Sequence, residues 1–196
     1  MHQPLAESAL EQLFTEARTH YDWETDPLPE TQLRQLYELL KFGPTSANSS
    51  PARFIFCTSA EARAKLADCA TGNNPDKIRQ APLTVIVGMD MAFHHRLPEL
   101  FPHADARSWF EGKDAHIRET AFRNSSLQGG WLIMAARALG LDTGPMSGFD
   151  KARVDAEFWA GTAVETNFIC SIGRGTGQKQ FPRLPRLSFE DACRIA

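Results

Sequence analysis

The sequence predicts an α+β fold, in one domain spanning residues 1–196, with several helices and a few strands. Three observations carry that reading. Apolar residues recur at helical spacing, above all between residues 115 and 139. Two short apolar runs, at 53–58 and 82–89, have the length and composition of strands. Glycine and proline cluster between these stretches and separate them.

Ala6 to Thr19 places Leu10, Leu13, Phe14 and Ala17 on one helical face. Pro29 to Lys41 reads as a second helix, with Pro29 near its first turn and Leu33, Leu36, Tyr37, Leu39 and Leu40 apolar. Residues 43–51 (GPTSANSSP) form a loop of small polar residues. Arg53 to Thr58 predicts a strand and Ala60 to Ala70 a short helix. Pro82 to Met89 (PLTVIVGM) predicts a buried strand, being β-branched and almost uncharged. Asp90 to Lys113 carries Pro98, Pro102 and scattered aromatics, and predicts an excursion with short helical pieces.

Ala115 to Leu139 is the longest predicted helix. Its C-terminal half (LQGGWLIMAARALG) is apolar nearly all round, which predicts burial on most faces. Gly140 stands where a glycine ends a helix, Leu141 and Asp142 begin a strand, and Pro145 to Gly148 read as a turn. Val154 to Phe158 predicts a short helix, Asn167 to Ile172 a strand, and the tail from Lys179 to Ala196 is basic and punctuated by proline.

With 23% charged and 42% hydrophobic residues the composition is that of a globular chain. A net charge of −3 gives no electrostatic reason to expect nucleic acid or an anionic membrane as partner. No apolar run approaches the roughly 20 residues of a membrane-spanning helix. The N-terminal stretch lacks a basic-then-apolar leader pattern, so a cytoplasmic location is expected. Cys57, Cys69, Cys170 and Cys193 are widely spaced in strand or helix contexts and read as buried free thiols. His94, His95 and His103 have no second ligand cluster to match a metal template, so no metal is expected.

No GxSxG elbow, GxGxxG turn or GxxxxGK[ST] loop occurs, which removes the common serine hydrolase, Rossmann and P-loop readings. What remains is a set of backbone-rich polar loops at 43–51, 72–74 and 144–148, with isolated arginines near both chain ends. Such loops suit a planar, anionic ligand with polar edges, and by themselves do not give a reaction.

Taken together and in order, these segments resemble the nitroreductase family of flavoproteins. The resemblance rests on Arg18-Thr19 closing the first helix, Gly43 to Asn48 before Pro51 and a strand, and Gly72-Asn73. It continues through the long helix ending Ala138-Leu139-Gly140-Leu141-Asp142, then Pro145 to Phe149, then arginines before a final Leu-Ser-Phe-Glu. More narrowly, Leu100 to His103, Asp105 to Phe110 and Ala121 to Ser126 resemble the malonic-semialdehyde reductases of bacterial uracil breakdown.

The resemblance implies a mixed, mostly antiparallel sheet flanked by helices, in an interlocked homodimer with an exchanged C-terminal segment. It implies FMN as cofactor and NADH or NADPH as hydride donor, in a ping-pong reaction through flavin N5 that needs no catalytic side chain. The implied acceptor is a small electrophile, malonic semialdehyde, reduced to 3-hydroxypropionate. The alternatives are a broad nitro- or quinone-reductase and a flavin-binding module without turnover.

Residue by residue, the resemblance assigns Arg18, Thr19 and His20 to the FMN phosphate and ribityl chain. Thr45, Ser46 and Asn48 match a loop reaching the flavin across the subunit interface, and Asn73 and Asn124 match contacts to the pyrimidine edge. Pro145, Met146, Ser147 and Gly148 match the loop against the ring, and Arg183 and Arg186 match a C-terminal pair on the phosphate. Two departures stand out: Tyr21 and Asp22 occupy a stretch where relatives carry a second basic residue, and Ser147 replaces a glutamate. For a carboxylate-bearing substrate, Arg53, Arg107 and Arg123 are candidate contacts, because a guanidinium fork binds carboxylate bidentately.

Overall fold

A computed structural model describes residues 3–196. Its centre is a four-stranded sheet in which β1 (Ala52–Cys57), β2 (Leu83–Asp90), β4 (Val164–Gly173) and β3 (Asp142–Met146) lie in that order. Every pairing between these strands is antiparallel. The parallel component is a single bridge from Thr19 to Thr143, on the outer side of β3.

β2 is buried along nearly its whole length because both faces of the sheet are covered. Alternation along the strand sorts its side chains. Leu83, Val85 and Val87 pack with Leu36 and Leu40 of α2 (Glu30–Leu40) and with Leu132 and Ala136 of α6 (Asp114–Ala138). Ile86 faces the other way, into a cluster with Leu66 of α3 (Ala60–Asp68), Ile78 of α4 (Asn74–Gln80) and Val154 of α7 (Lys151–Phe158).

Between Val87 and Gly88 the register with β4 shifts, and Asn167 has no partner in β2. Its amide instead donates to the Ser125 and Ser126 hydroxyls of α6, each at 2.9 Å. Glycine is required opposite the bulge: a Cβ on Gly88 would come within 2.5 Å of Val164 and 2.8 Å of Trp159.

Several expectations need correction. The first helix is confined to α1 (Glu7–Leu10) and a π-helical turn over Glu11–Thr15, neither with a buried residue. α4 was not anticipated, since its sequence NPDKIRQ offers one buried apolar residue, Ile78; Pro75 opens it. α7 starts earlier than its apolar residues suggest, because the Asp150 side chain caps the Arg153 N–H. Pro145 and Met146 belong to β3, not to a turn. β3 is one of the two edge strands, where a residue lacking an N–H is tolerated. Cys193 is exposed, unlike the other three cysteines. α5 (Leu97–Leu100) and two short 3-10 turns make up the expected excursion, and α8 (Phe189–Ala192) ends the tail.

α6 also departs from the predicted all-round burial. Its buried residues form one stripe, while Phe122, Leu127 and Trp131 stay exposed on other faces. The helix ends as expected, in a Schellman arrangement. Gly140 has φ +70°, the Leu141 N–H donates to the Ala136 carbonyl and the Gly140 N–H to the Arg137 carbonyl.

The excursion packs as a third cluster, with Phe93, Leu97, Phe110, Ile117 and Ala121 buried. His94 is buried beside it, with its ring 4.3 Å from that of His95 and an Nδ1 that has no partner. Burial, then the nearby charges of His95 and Arg107, hold its pKa below the ordinary value of 6.5, against opposing pulls from Glu111 and Asp90. A depressed histidine pKa means that the unfolded chain binds the proton better. This contribution to stability is therefore complete above the unfolded pKa and is lost as pH falls through the folded one. Urea unfolding at about pH 7.5 and about pH 5 should show a loss of stability on acidification that shrinks in His94→Phe. An equal loss in both proteins would contradict this assignment.

Candidate functional site

The residues singled out in the sequence gather into two groups. The first lies along the outer side of β3. The bridge from Thr19 to Thr143, with the His20 N–H donating to the Thr143 carbonyl at 3.1 Å, lays the Arg18 segment beside that strand. Asp22 is buried, and its carboxylate accepts from the Thr176 hydroxyl, the Gln178 N–H at 2.9 Å and the Lys179 N–H at 3.3 Å. This clamp directs the tail back across the segment, and the Arg18 guanidinium donates to the Phe181 carbonyl. Tyr21 packs edge-on to Phe181, with its ring 5.7 Å away. Tyr21 and Asp22, the departure from the expected basic pattern, thus hold the tail in place.

Arg18, Thr19, Arg183 and Arg186 consequently line one cavity of about 390 Å³, together with Arg137 from the last turn of α6. Among the described residues none of these four arginines forms an ion pair. A cluster of unpaired guanidinium groups is a receptor for a multiply charged anion such as a phosphomonoester. Arg137 was missed from the sequence, where it reads as an ordinary helix-end cation.

His20 does not line this cavity. Its ring is buried against Gly175, where a Cβ would come to 1.7 Å, with Nε2 3.3 Å from Asp142 Oδ1 and 2.9 Å from Gln180 Nε2. The imidazole fastens β3 to the tail.

Pro145 is exposed at the end of β3, Met146 and Gly148 are half-buried, and Ser147 is exposed. The Gly148 carbonyl accepts from the Thr71 N–H and from Asn74 Nδ2, both at 3.0 Å. Asn74, rather than the exposed Asn73, therefore touches this loop. Lys77, one turn further along α4, donates to Asn74 Oδ1 at 3.2 Å and sits 4.5 Å from the centre of the Tyr21 ring. Helical spacing of Asn74 and Lys77 was the signal that could have found both.

The second group is the loop between α2 and β1. Ala47, Asn48 and Ser50 all have positive φ, at +50°, +49° and +39°. Left-handed backbone costs about 1–2 kcal/mol at a residue such as Ala47 or Ser50 and less at Asn48, since asparagine adopts it more readily. The loop persists because it is tied at several points. The Ser46 N–H donates to Asn124 Oδ1 at 2.8 Å, Asn48 Nδ2 to the Leu100 carbonyl at 2.8 Å, and the Ser50 N–H to Thr45 Oγ1 at 3.1 Å. Asn124 is buried under the loop, and its Nδ2 donates to the Thr120 carbonyl. Its amide is thus committed to holding the loop, a different task from the ring-edge contact expected of it. Asn48 lines a separate cavity of about 660 Å³.

The three candidate substrate arginines all hold carboxylates already. Arg53 pairs with Asp90 at 2.6 Å and donates to the Ser50 and Ala52 carbonyls. Arg107 pairs with Glu111 at 2.8 Å, and Arg123 pairs with Glu119. The last two are exposed pairs one helical turn apart, worth about 0.3–0.5 kcal/mol and easily exchanged. Arg53 is fixed.

A sequence model of the nitroreductase family matches residues 15–174, and the chain belongs to that family. A relative from Burkholderia lata, named "Putative NADH dehydrogenase/NAD(P)H nitroreductase", is 61% identical over 191 residues, covering 97% of this chain and 98% of the relative. One of the same name from Caulobacter vibrioides strain NA1000 is 59% identical over 193 residues, covering 97% and 98%. The fold is similar to that of a crystal structure described as "a putative nitroreductase in complex with FMN" from Exiguobacterium sibiricum. That match has a TM-score of 0.85 over all of both chains at 20% identity.

Asn124→Ala should free the Ser46 N–H and lower stability by about 1–3 kcal/mol in urea unfolding. Hydrogen exchange of residues 45–50 should rise more than that of β2. Unchanged protection of the loop would show that Asn124 does not anchor it.

Proposed function

We propose that this protein is an FMN-dependent NAD(P)H oxidoreductase that works as a homodimer. The observation that carries this is the cavity lined by Thr19 and by Arg18, Arg183 and Arg186, three cations without acidic partners among the described residues, which suits the phosphate of FMN. Beside it, Pro145 to Gly148 with Asn73, Asn74 and Lys77 would take the ring, and Lys77 would favour negative charge there. Thr45, Ser46 and Asn48 would complete the site from the second subunit. Supporting a second subunit are the exposed Phe122, Leu127 and Trp131 of α6 and the exposed Phe181, Leu184, Leu187 and Phe189 of the tail, apolar surface that one chain leaves uncovered. When bound, FMN would supply two-electron redox chemistry between NADH or NADPH and a small electrophile.

Anaerobic mixing of the flavin-loaded protein with NADH or NADPH should bleach its visible absorbance. Stable yellow colour would leave a flavin-binding module without turnover.

For the acceptor we favour malonic semialdehyde, giving 3-hydroxypropionate in ping-pong order. The fixed pairing of Arg53 with Asp90, which leaves only the exchangeable Arg107 and Arg123, favours the second reading, a broad nitro- or quinone-reductase with no dedicated carboxylate contact. The ratio of kcat/KM for 3-oxopropanoate to that for a nitroaromatic separates the two. A ratio well above one, falling in Arg107→Ala or Arg123→Ala through KM, supports the semialdehyde. A ratio below one supports the broad reductase.

A further inference from the structure

Arg137 differs from the other arginines of the cavity in being tied to a second structure. Its Nη1 donates to the Leu13 carbonyl at 2.9 Å, and its own carbonyl accepts from Gln12 Nε2 at 2.6 Å. Gln12 and Leu13 lie in the π-helical turn that follows α1. No residue of that nine-residue arm is buried, so these two hydrogen bonds are a principal tether to the body. π-helical turns leave irregular carbonyls available to outside donors, and Leu13 is used in that way.

The Arg137 guanidinium is also under-used. Of its five N–H donors one is spent on Leu13, and its Nε is buried without any partner. Desolvation lowers its pKa from the ordinary arginine value, but a guanidinium remains charged. Arg18 and Arg186, by comparison, already donate to carbonyls of the tail. Among the described residues the cavity lining holds no acid, and Asp142 acts on the Arg137 charge without pairing with it, so a desolvated cation with spare donors on this wall suits an anion.

We propose that Arg137 binds a phosphomonoester in this cavity while clasping the N-terminal arm, so that filling the cavity orders residues 7–15. The inference rests on the reading of the cavity as the FMN phosphate subsite. It goes beyond that reading in giving Arg137 a part in it and linking a distant helix to its occupancy. The phosphate would accept from the guanidinium donors that Leu13 leaves free. With both ends of the fork engaged, the side chain would lose its freedom, and the arm it holds would fray less.

The test compares FMN, riboflavin and orthophosphate on the full-length protein freed of flavin. Affinity is read from flavin fluorescence, and order in the arm from hydrogen exchange at residues 7–16. Arg137→Met should weaken FMN binding by about ten- to a hundredfold, as expected for losing a charged hydrogen bond, and leave riboflavin binding unchanged. FMN and orthophosphate should slow exchange in the arm of the parent protein, whereas riboflavin and FMN added to Arg137→Met should not. Arg137→Lys, which keeps charge without the fork, should fall between the two and serves if Arg137→Met does not fold. Equal losses for FMN and riboflavin, or exchange in the arm that ignores FMN, would overturn the proposal. Arg18→Met separates the levels. If it weakens FMN while Arg137→Met does not, the part assigned to Arg137 fails alone. If neither weakens FMN, the cavity is not the phosphate subsite and both readings fail.

Discussion

The buried carboxylate of Asp22 holds together two stretches of chain more than 150 residues apart in sequence. It takes two backbone N–H groups and a hydroxyl from residues 176–179, and so fixes where the tail leaves the sheet. Hydrogen bonds from neutral donors to a charged acceptor are stronger than neutral pairs, and in a buried setting they set direction as well as energy. Around the clamp, His20 fills the space that Gly175 leaves open, and Tyr21 meets Phe181. The arginine cavity follows from this arrangement together with the backbone bridge from Trp23 to Gly175, which bring the segments carrying Arg18 and Arg183 side by side.

The arginines of the chain divide by partner. Those on exposed helix surfaces face carboxylates one turn away and make ordinary, weakly stabilising pairs. Arg53 is more deeply committed, joining β1 to Asp90 at the end of β2. Arg18, Arg137, Arg183 and Arg186 have backbone carbonyls or nothing. Cations gathered without an ion-pair partner repel one another and disfavour the compact state, a cost that a bound anion would offset.

α6 does two different jobs along its length. Midway along it the buried stripe is polar: Asn124 ties the strained loop, Gln128 caps the Ala52 N–H, and Ser125 meets the bulged Asn167. Toward its C-terminus the stripe turns apolar, with Leu132, Ala135 and Ala136 closing the core over β2 and β4. The polar section falls where α6 meets irregular backbone, which has N–H groups that need acceptors. The left-handed residues Ala47, Asn48 and Ser50 flank a right-handed Ser49 in a loop that Asn124 anchors, and such strain clusters at functional sites.

Local physics made much of the fold legible in the sequence. β2 announced itself by an uncharged β-branched run, α2 by its apolar spacing, and the end of α6 by Gly140, because periodicity and the left-handed preference of glycine act over a few residues. The family was legible as well, from loops at fixed intervals. Other features depended on neighbours distant in sequence. Pro145 reads as a turn residue until β4 gives it an edge strand to join. The apolar faces of α6 read as buried until the sheet is seen to cover one stripe alone. Asn124 and Asn73 look equivalent as polar residues, yet one lies beneath a strained loop and the other faces solvent. Arg137 looked like a helix-end charge, and only the return of the tail past Arg18 put it on the wall of a cavity. Short-range preferences set the elements, whereas which side chains share a cavity was decided by chain segments meeting across the sheet, and no local pattern encodes that.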